Sequence, residues 1–429
     1  MCGMDSCYDY DAGYEKSEQD TMAVHGDRAF LVFHVTPVDT RGMTIGNVTE
    51  RINTLRIIVL NDAEEHTTSI EYNKLITLGE NGFMATSFSY DIMLPTVPGK
   101  KKVYFIANEK SVGNITINGN SSSTTLSAWL NQFLPESEGN GSDNTASVHD
   151  AEEFETNINN IYFTPAYTVQ NGDIFLPYTS YYYDGLLTVK GQTKEITAYL
   201  VPVATKFFFK FVNNRDAAVE VQGITLSKAH KDNYLFAQVS ENELKKKLPE
   251  DEDASEGRYW IDWLAVVSKR SHEAPDYSDN IEFNGEYGWI SDFEMPTEYA
   301  SDVTVIDKND DTEKLQVAAA DGNGAGKLIL GPYYVPESRN LVTYEDGQNN
   351  SITEQIYYLT LNLHDTGSGK APEFDNQPIG NLHSLFRNTC VLIKLTMNQG
   401  NVEIYAEINP WTTKEVKGWV VGGPAPNKQ

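Results

Sequence analysis

Short runs of β-branched and aromatic residues, each closed by a turn signal, recur along the whole chain, while stretches with helical periodicity are scarce. The first such run is Ala29-Phe30-Leu31-Val32-Phe33-His34-Val35, whose alternation sets Leu31, Phe33 and Val35 on one face and Phe30, Val32 and His34 on the other. Leu55-Arg56-Ile57-Ile58-Val59-Leu60 follows and ends at the turn signal Asn61-Asp62. Comparable runs are expected at 83–94, 102–107, 161–169, 174–178, 196–203, 207–212, 328–335, 354–363, 390–397 and 401–408. One helix is expected over 126–134, where Leu126, Trp129, Leu130 and Phe133 share a face before Pro135, and a second, short one within 241–256. The pattern predicts an all-β chain with few short helices, arranged as tandem β-sandwiches. No internal repeat of 20–50 residues is present.

The 429 residues suffice for about two or three domains. Residues 3–27 are polar, acidic and poor in aliphatics, so 1–28 is expected to be a flexible tether. A hinge is expected near 189–195, around Gly191, which divides the remainder into 29–190 and 191–429.

Charge excludes one class of partner. With 61 acidic against 33 basic residues the net charge is −28, which repels phosphate backbones and argues against nucleic-acid binding. The three cysteines, Cys2, Cys7 and Cys390, suggest neither a disulfide framework nor a zinc site, and Cys390 reads as a buried free thiol. No apolar run is long enough for a membrane-spanning helix.

Catalytic constellations are absent or weak. There is no Gly-x-Ser-x-Gly elbow and no His-Glu-x-x-His helix, and the eight histidines are scattered. Gly322-Asn323-Gly324-Ala325-Gly326-Lys327 is one residue short of a phosphate loop and is read as a hairpin loop. Asp307-Lys308-Asn309-Asp310-Asp311 lacks the glycine and the twelfth-position Glu of a calcium loop. No catalytic, cofactor-binding or metal-ligating residue is therefore expected, and no cofactor. The aromatics Tyr181-Tyr182-Tyr183, Trp260 and Trp263 can serve a sugar-stacking face or ordinary packing.

The linear order of these features resembles the fimbrillin family of Bacteroidales. It begins with a Cys-led acidic leader and the run 29–35, followed after a few residues by Arg41-Gly42. Next come Leu55-Arg56-Ile57-Ile58-Val59-Leu60-Asn61-Asp62, then a Pro98-Gly99 leading into Val103-Tyr104-Phe105-Ile106-Ala107-Asn108. Near the end stand Leu385-Phe386-Arg387-Asn388-Thr389 and Ala406-Glu407-Ile408-Asn409-Pro410-Trp411. Residues 241–300 match no part of the pattern.

The resemblance implies two tandem transthyretin-like β-sandwich domains and a structural role. It implies export as a lipoprotein lipidated at Cys2, anchored to the outer membrane as a precursor and later displayed in a cell-surface fimbrium serving adhesion and biofilm. An Arg-specific surface protease would cut at Arg41, before Gly42, with Arg51 and Arg56 as rival sites. Loss of 29–41 would remove Leu31, Phe33 and Val35, and a donor strand from 402–429 of the next subunit would fill the groove. The candidate donor residues are Val402, Ile404, Ile408, Val416, Trp419, Val420 and Val421, with 402–408 equally readable as the chain's own last strand. Partners would be other copies of the chain or sister subunits, the protease, and host or bacterial surface ligands. A stalk-type or accessory position is favoured over tip or anchor. The alternative reading is a surface lipoprotein that acts as a carbohydrate-binding module.

Overall fold

The structure, a computed structural model, describes residues 28–37, 48–62, 69–79, 82–85, 88–118, 120–135, 151–166, 175–230, 232–236, 302–307, 315–322, 324–337, 341–345, 351–355, 357–367, 374–379, 382, 385 and 387–410. In the first half the strands are β1 Ala29–Pro37, β2 Arg51–Ile52, β3 Thr54–Asp62, β4 Ser69–Thr77, β5 Phe83–Met84, β6 Tyr90–Thr96, β7 Gly99–Ala107, β8 Asn114–Ile117, β9 Asn120–Thr125, β10 Ile161–Phe163, β11 Tyr178–Thr188 and β12 Thr193–Pro202. The second half contains β13 Thr205–Asn213, β14 Val219–Ser227, β15 Asn233–Tyr234, β16 Asp302–Asp307, β17 Leu315–Val317, β18 Gly326–Val335, β19 Leu341–Glu345, β20 Ser351–Gln355, β21 Tyr358–Asp365, β22 Phe374–Pro378, β23 Thr389–Met397 and β24 Val402–Pro410. Two short helices, α1 Leu126–Leu130 and α2 Ala151–Ile158, complete the described regular structure apart from brief 3₁₀ turns. The chain is all-β.

Seven strands of the first half form one sheet in the order β4-β3-β7-β11-β12-β1-β6. Its two edges meet: Thr96 Oγ1 on β6 donates to Glu71 Oε2 on β4, so the sheet curls until its inner face is enclosed. That face carries Leu31, Phe33 and Val35 together with Val103 and Phe105, all buried, with Phe33 set edge-on to Phe105 at 5.2 Å. On the outer face of the sheet Tyr104 packs against Phe154 of α2 and against Phe236.

The second half builds two layers, β18-β13-β23-β24 and β16-β14-β21-β22. They share one apolar cluster, with Phe207, Phe209, Val391 and Ile393 on one side and Ile224, Leu226, Leu359 and Leu361 on the other.

Several boundaries differ from the sequence reading. The run expected at 83–94 is two strands, β5 and β6. The expected 161–169 strand stops at Phe163, and 174–178 is replaced by β11, which starts at Tyr178. Helix α2 falls where no helix is expected, and α1 ends at Leu130, although Phe133 is still buried. The region around Gly191 is a tight turn between β11 and β12, not a hinge between units. β12 joins the first sheet, and Leu200, Val203 and Ala204 belong to the first apolar cluster. Polar residues with a positive-φ glycine mark a hairpin turn as well as a linker, and only strand pairing separates the two.

The expected buried thiol is found at Cys390, which is free and whose thiol burial pushes up to about 12. Gly322 and Gly324 flank a tight turn in which Asp321 and Gly324 bond to each other, and β18 starts at Gly326. The expected short helix within 241–256 lies outside the described residues.

Candidate functional site

The site with the most distinctive construction is the slot that holds β1. Sequence alternation and structure agree here: Ala29, Leu31, Phe33 and Val35 are fully buried, Pro37 is buried, and the residues between them are half-exposed. β1 lies parallel to β12 from Phe30 opposite Thr193 to Pro37 opposite Leu200. On its other side it is antiparallel to β6, with Leu31 opposite Leu94 and Val35 opposite Tyr90.

Both neighbours depend on β1 for their backbone hydrogen bonds. Among the described residues β6 is the edge strand and has no other partner in the sheet. β12 pairs with β11 only at Tyr178 opposite Pro202 and Thr179 opposite Val201, so among the described residues most of its length is laddered by β1 alone. Taking β1 out would expose two rows of unpaired backbone groups and empty the pockets of its inward side chains.

The attachments at the ends of β1 are few. Phe30 N–H donates to Gln192 O at 3.0 Å, and Gly191 N–H to Arg28 O at 2.9 Å. On the outer face His34 Nδ1 and Asp91 Oδ1 pair at 2.9 Å, and Thr36 Oγ1 donates to Phe88 O at 3.3 Å. Both members of the His34–Asp91 pair are well exposed, a setting in which ion pairs add little.

The remaining residues picked out from sequence fall in different places. Cys2, Arg41, Gly42, Val416, Trp419, Val420, Val421, Trp260 and Trp263 lie outside the described residues. Arg41 and Gly42 belong to the stretch between the end of β1 and Val48. Arg56, a rival cleavage position, is buried in β3, where its guanidinium donates to Glu109 Oε2 at 2.5 Å and Oε1 at 2.8 Å and to Asn73 Oδ1 at 2.7 Å. A protease cannot reach it in the folded chain. Arg51 is half-buried in β2.

Val402, Ile404 and the backbone of Ile408 lie in β24, antiparallel to β23 with Val402 opposite Met397 and Ile408 opposite Val391. Val402 and Ile404 pack against the second apolar cluster. Among the described residues 402–410 is therefore the edge strand of its own sheet. Tyr181-Tyr182-Tyr183 belong to β11.

Sequence reasoning missed the buried polar clamp that links the two halves. Arg387 donates to Glu337 Oε1 through Nε at 2.9 Å and also through a terminal nitrogen, to Leu235 O at 3.0 Å and to Tyr234 O at 2.7 Å. Tyr234 and Leu235 are tied in turn to the first half, because β15 pairs with β10 and Leu235 N–H donates to Ile161 O. A second link joins Glu50 to Lys206 Nζ at 2.5 Å and to Tyr334 OH at 2.7 Å. The resemblance drew attention to the segment around Arg387 without giving it a role; only the fold shows which carbonyls its guanidinium satisfies.

A half-open cavity of about 840 Å³ lies near the ends of β3 and β4, lined by Asn53, Thr77, Lys110, Asn114, Thr116 and Phe175 among others. Among the described residues no group of three His, Cys, Asp or Glu side chains could hold a metal ion.

No family model and no curated protein matches the chain. Solved structures do. The tip fimbrial protein Mfa3 from Porphyromonas gingivalis, with a C-terminal truncation, is 12% identical at a TM-score of 0.43, the match covering 90% of this chain and 100% of that one. A fimbrilin (fimA) from the same species is 12% identical at a TM-score of 0.40, covering 91% and 99%. A fimbrial assembly protein from Parabacteroides distasonis is 11% identical at 0.38, covering 90% and 98%.

These three solved structures are fimbrial proteins.

Proposed function

We propose that the chain is a structural subunit of a surface fimbrium, an adhesion protein and not an enzyme, polymerised by strand exchange at the β1 slot. The observation that carries this reading is the placement of β1: a fully inward-anchored strand inserted between two strands that have little other pairing. Three buried side chains of this size contribute about 1.5–3 kcal/mol each. A replacement strand recovers that energy together with both ladders, which is how strand addition gains affinity.

In this reading an Arg-specific protease cuts at Arg41, before Gly42, and β1 leaves. Part of 402–429 of the next subunit then enters the slot. Because β24 is engaged in its own sheet, the donor residues of this reading are Val416, Trp419, Val420 and Val421. The proposal includes lipidation at Cys2, an outer-membrane precursor, sister subunits as partners and two tandem transthyretin-like sandwich domains. In this reading the first domain extends through β12, since that strand hydrogen-bonds into the first sheet.

Limited digestion with an Arg-specific protease tests the proposal. The expected result is one early cut at Arg41, followed by concentration-dependent polymers that resist denaturant. Arg41→Ala should abolish both. Clean cleavage that yields only monomers, or polymers that still form after deletion of 402–429, would overturn it.

A further inference from the structure

At one end of the enclosed inner face of the first sheet, side chains from three neighbouring strands converge. Asn61 of β3 and Lys101 of β7 are directly opposite each other in the antiparallel register. Lys101 Nζ donates to Asn61 Oδ1 at 2.8 Å and to Glu71 Oε1 of β4 at 2.7 Å. The Lys101 side chain is 0% exposed and that of Glu71 13%.

Local backbone irregularities build this arrangement. The β3–β4 register shifts between Val59, opposite Tyr72, and Leu60, opposite Ile70, so Glu71 faces no residue of β3. A bulge of this kind re-aims a side chain, here toward Lys101. The second carboxylate oxygen of Glu71 accepts from Thr96 Oγ1, which holds the group in place. Gly99 stands two residues before Lys101 on the same strand, where a Cβ would come 3.2 Å from Asn61 Oδ1.

A lysine buried beside one carboxylate is an ordinary ion pair. Here its buried nitrogen also faces the amide carbonyl of the half-buried Asn61. Because a C=O bond is about 1.23 Å long, Asn61 Cγ can lie no farther than about 4 Å from Nζ, close to the separation of a near-attack geometry. Burial lowers the Lys101 pKa, with Glu71 opposing the shift, which brings the nucleophilic neutral amine within easier reach.

We propose that Lys101 and Asn61 are the two halves of an intramolecular isopeptide bond, with Glu71 as its proton carrier. Glu71 takes one proton from the Lys101 ammonium. The freed lone pair attacks Asn61 Cγ, and the Nζ–Cγ bond forms. Glu71 passes that proton to Asn61 Nδ2, the Cγ–Nδ2 bond breaks, and ammonia departs. Glu71 then takes the second proton from Nζ and gives it to that ammonia or to solvent. Nothing is oxidised or reduced, and no co-reactant is needed.

The product joins two adjacent interior strands of the curled sheet through side chains 40 positions apart. It is independent of the strand-exchange reading, since it forms within one folded subunit whether or not β1 is ever released.

Mass spectrometry of the full chain under denaturing conditions decides the question without any variant. The expected mass is that of the sequence less one ammonia, and proteolytic mapping should recover the peptides containing Asn61 and Lys101 as one linked species. Asn61→Ala and Lys101→Arg should each restore the full sequence mass for that variant, and Glu71→Gln should leave the two peptides unlinked. A wild-type mass equal to that of the sequence reduces the cluster to an ion pair and overturns the proposal. Loss of ammonia with unlinked peptides overturns it as well, since cyclisation at an asparagine gives the same mass change. A linked species in Glu71→Gln would refute the part assigned to Glu71.

Discussion

Truncating Phe33 should show whether the β1 slot recognises its strand through the inward side chains. Phe33 is fully buried and its ring meets Phe105 edge-on, so Phe33→Ala removes an aromatic side chain from a packed core, a change that typically costs about 3–5 kcal/mol. At about 1.4 kcal/mol per tenfold, a peptide with the 29–37 sequence and this change should bind the emptied slot at least a hundredfold (~100×) more weakly than the unaltered peptide. Val32 lies on the same strand but on the half-exposed face, so a Val32→Ala peptide should lose less than about 1 kcal/mol. The assay is competition between labelled and unlabelled peptides for chains cleaved at Arg41 and freed of β1, read by fluorescence anisotropy. An excess of the unaltered peptide should also halt polymer growth by capping the slot. Equal affinities for the two altered peptides, or growth undisturbed by the cap, would refute the reasoning that burial in the slot drives the exchange.

Two further outcomes follow from buried groups away from the slot. Arg387→Met removes the partner of a Glu337 that stays buried, and breaking a pair in this way costs about 3–5 kcal/mol, measurable as a lower urea midpoint. A double variant, Arg387→Met with Glu337→Leu, should recover part of that loss, because no unpaired charge remains. The Cys390 thiol should resist a maleimide reagent in the folded chain at mildly alkaline pH and react on unfolding. Its folded pKa of about 12 stands above the ordinary 9.0, so the unfolded chain releases this proton first as pH rises. The contribution of Cys390 to stability is therefore intact below about pH 9 and declines between about 9 and 12, which unfolding curves in that range would reveal.

Alternation in 29–37 was legible without any fold: inward Leu31, Phe33 and Val35 follow from a period of two, and the structure buries all three. The same holds for 402–408 as an alternating strand and for the apolar setting of Cys390. The β11–β12 turn was not legible. Gly191 among polar residues reads the same whether it ends a domain or closes a hairpin, and the pairing of β12 with β1 is a non-local choice that no window of sequence contains. Helix α2 was missed because it is short: Ala151, Phe154 and Ile158 stand at helical spacing, but eight residues hold a helix only when Trp129 and Phe133 pack on Phe154.

Residue order alone determined the chemical class of the chain: sheet-forming, strongly acidic, without catalytic spacing, and with one strand apolar on a single face near the start. Tertiary structure decided which strands that one would lie between. It also decided that Arg56 and Arg387 would be buried, paired groups, and that Asn61, Glu71 and Lys101 would meet at one corner of the first sheet. Local preference depends on neighbours a few bonds away. The partner of a buried charge, like the partner of a strand edge, is fixed only when distant segments close on one another and water is excluded.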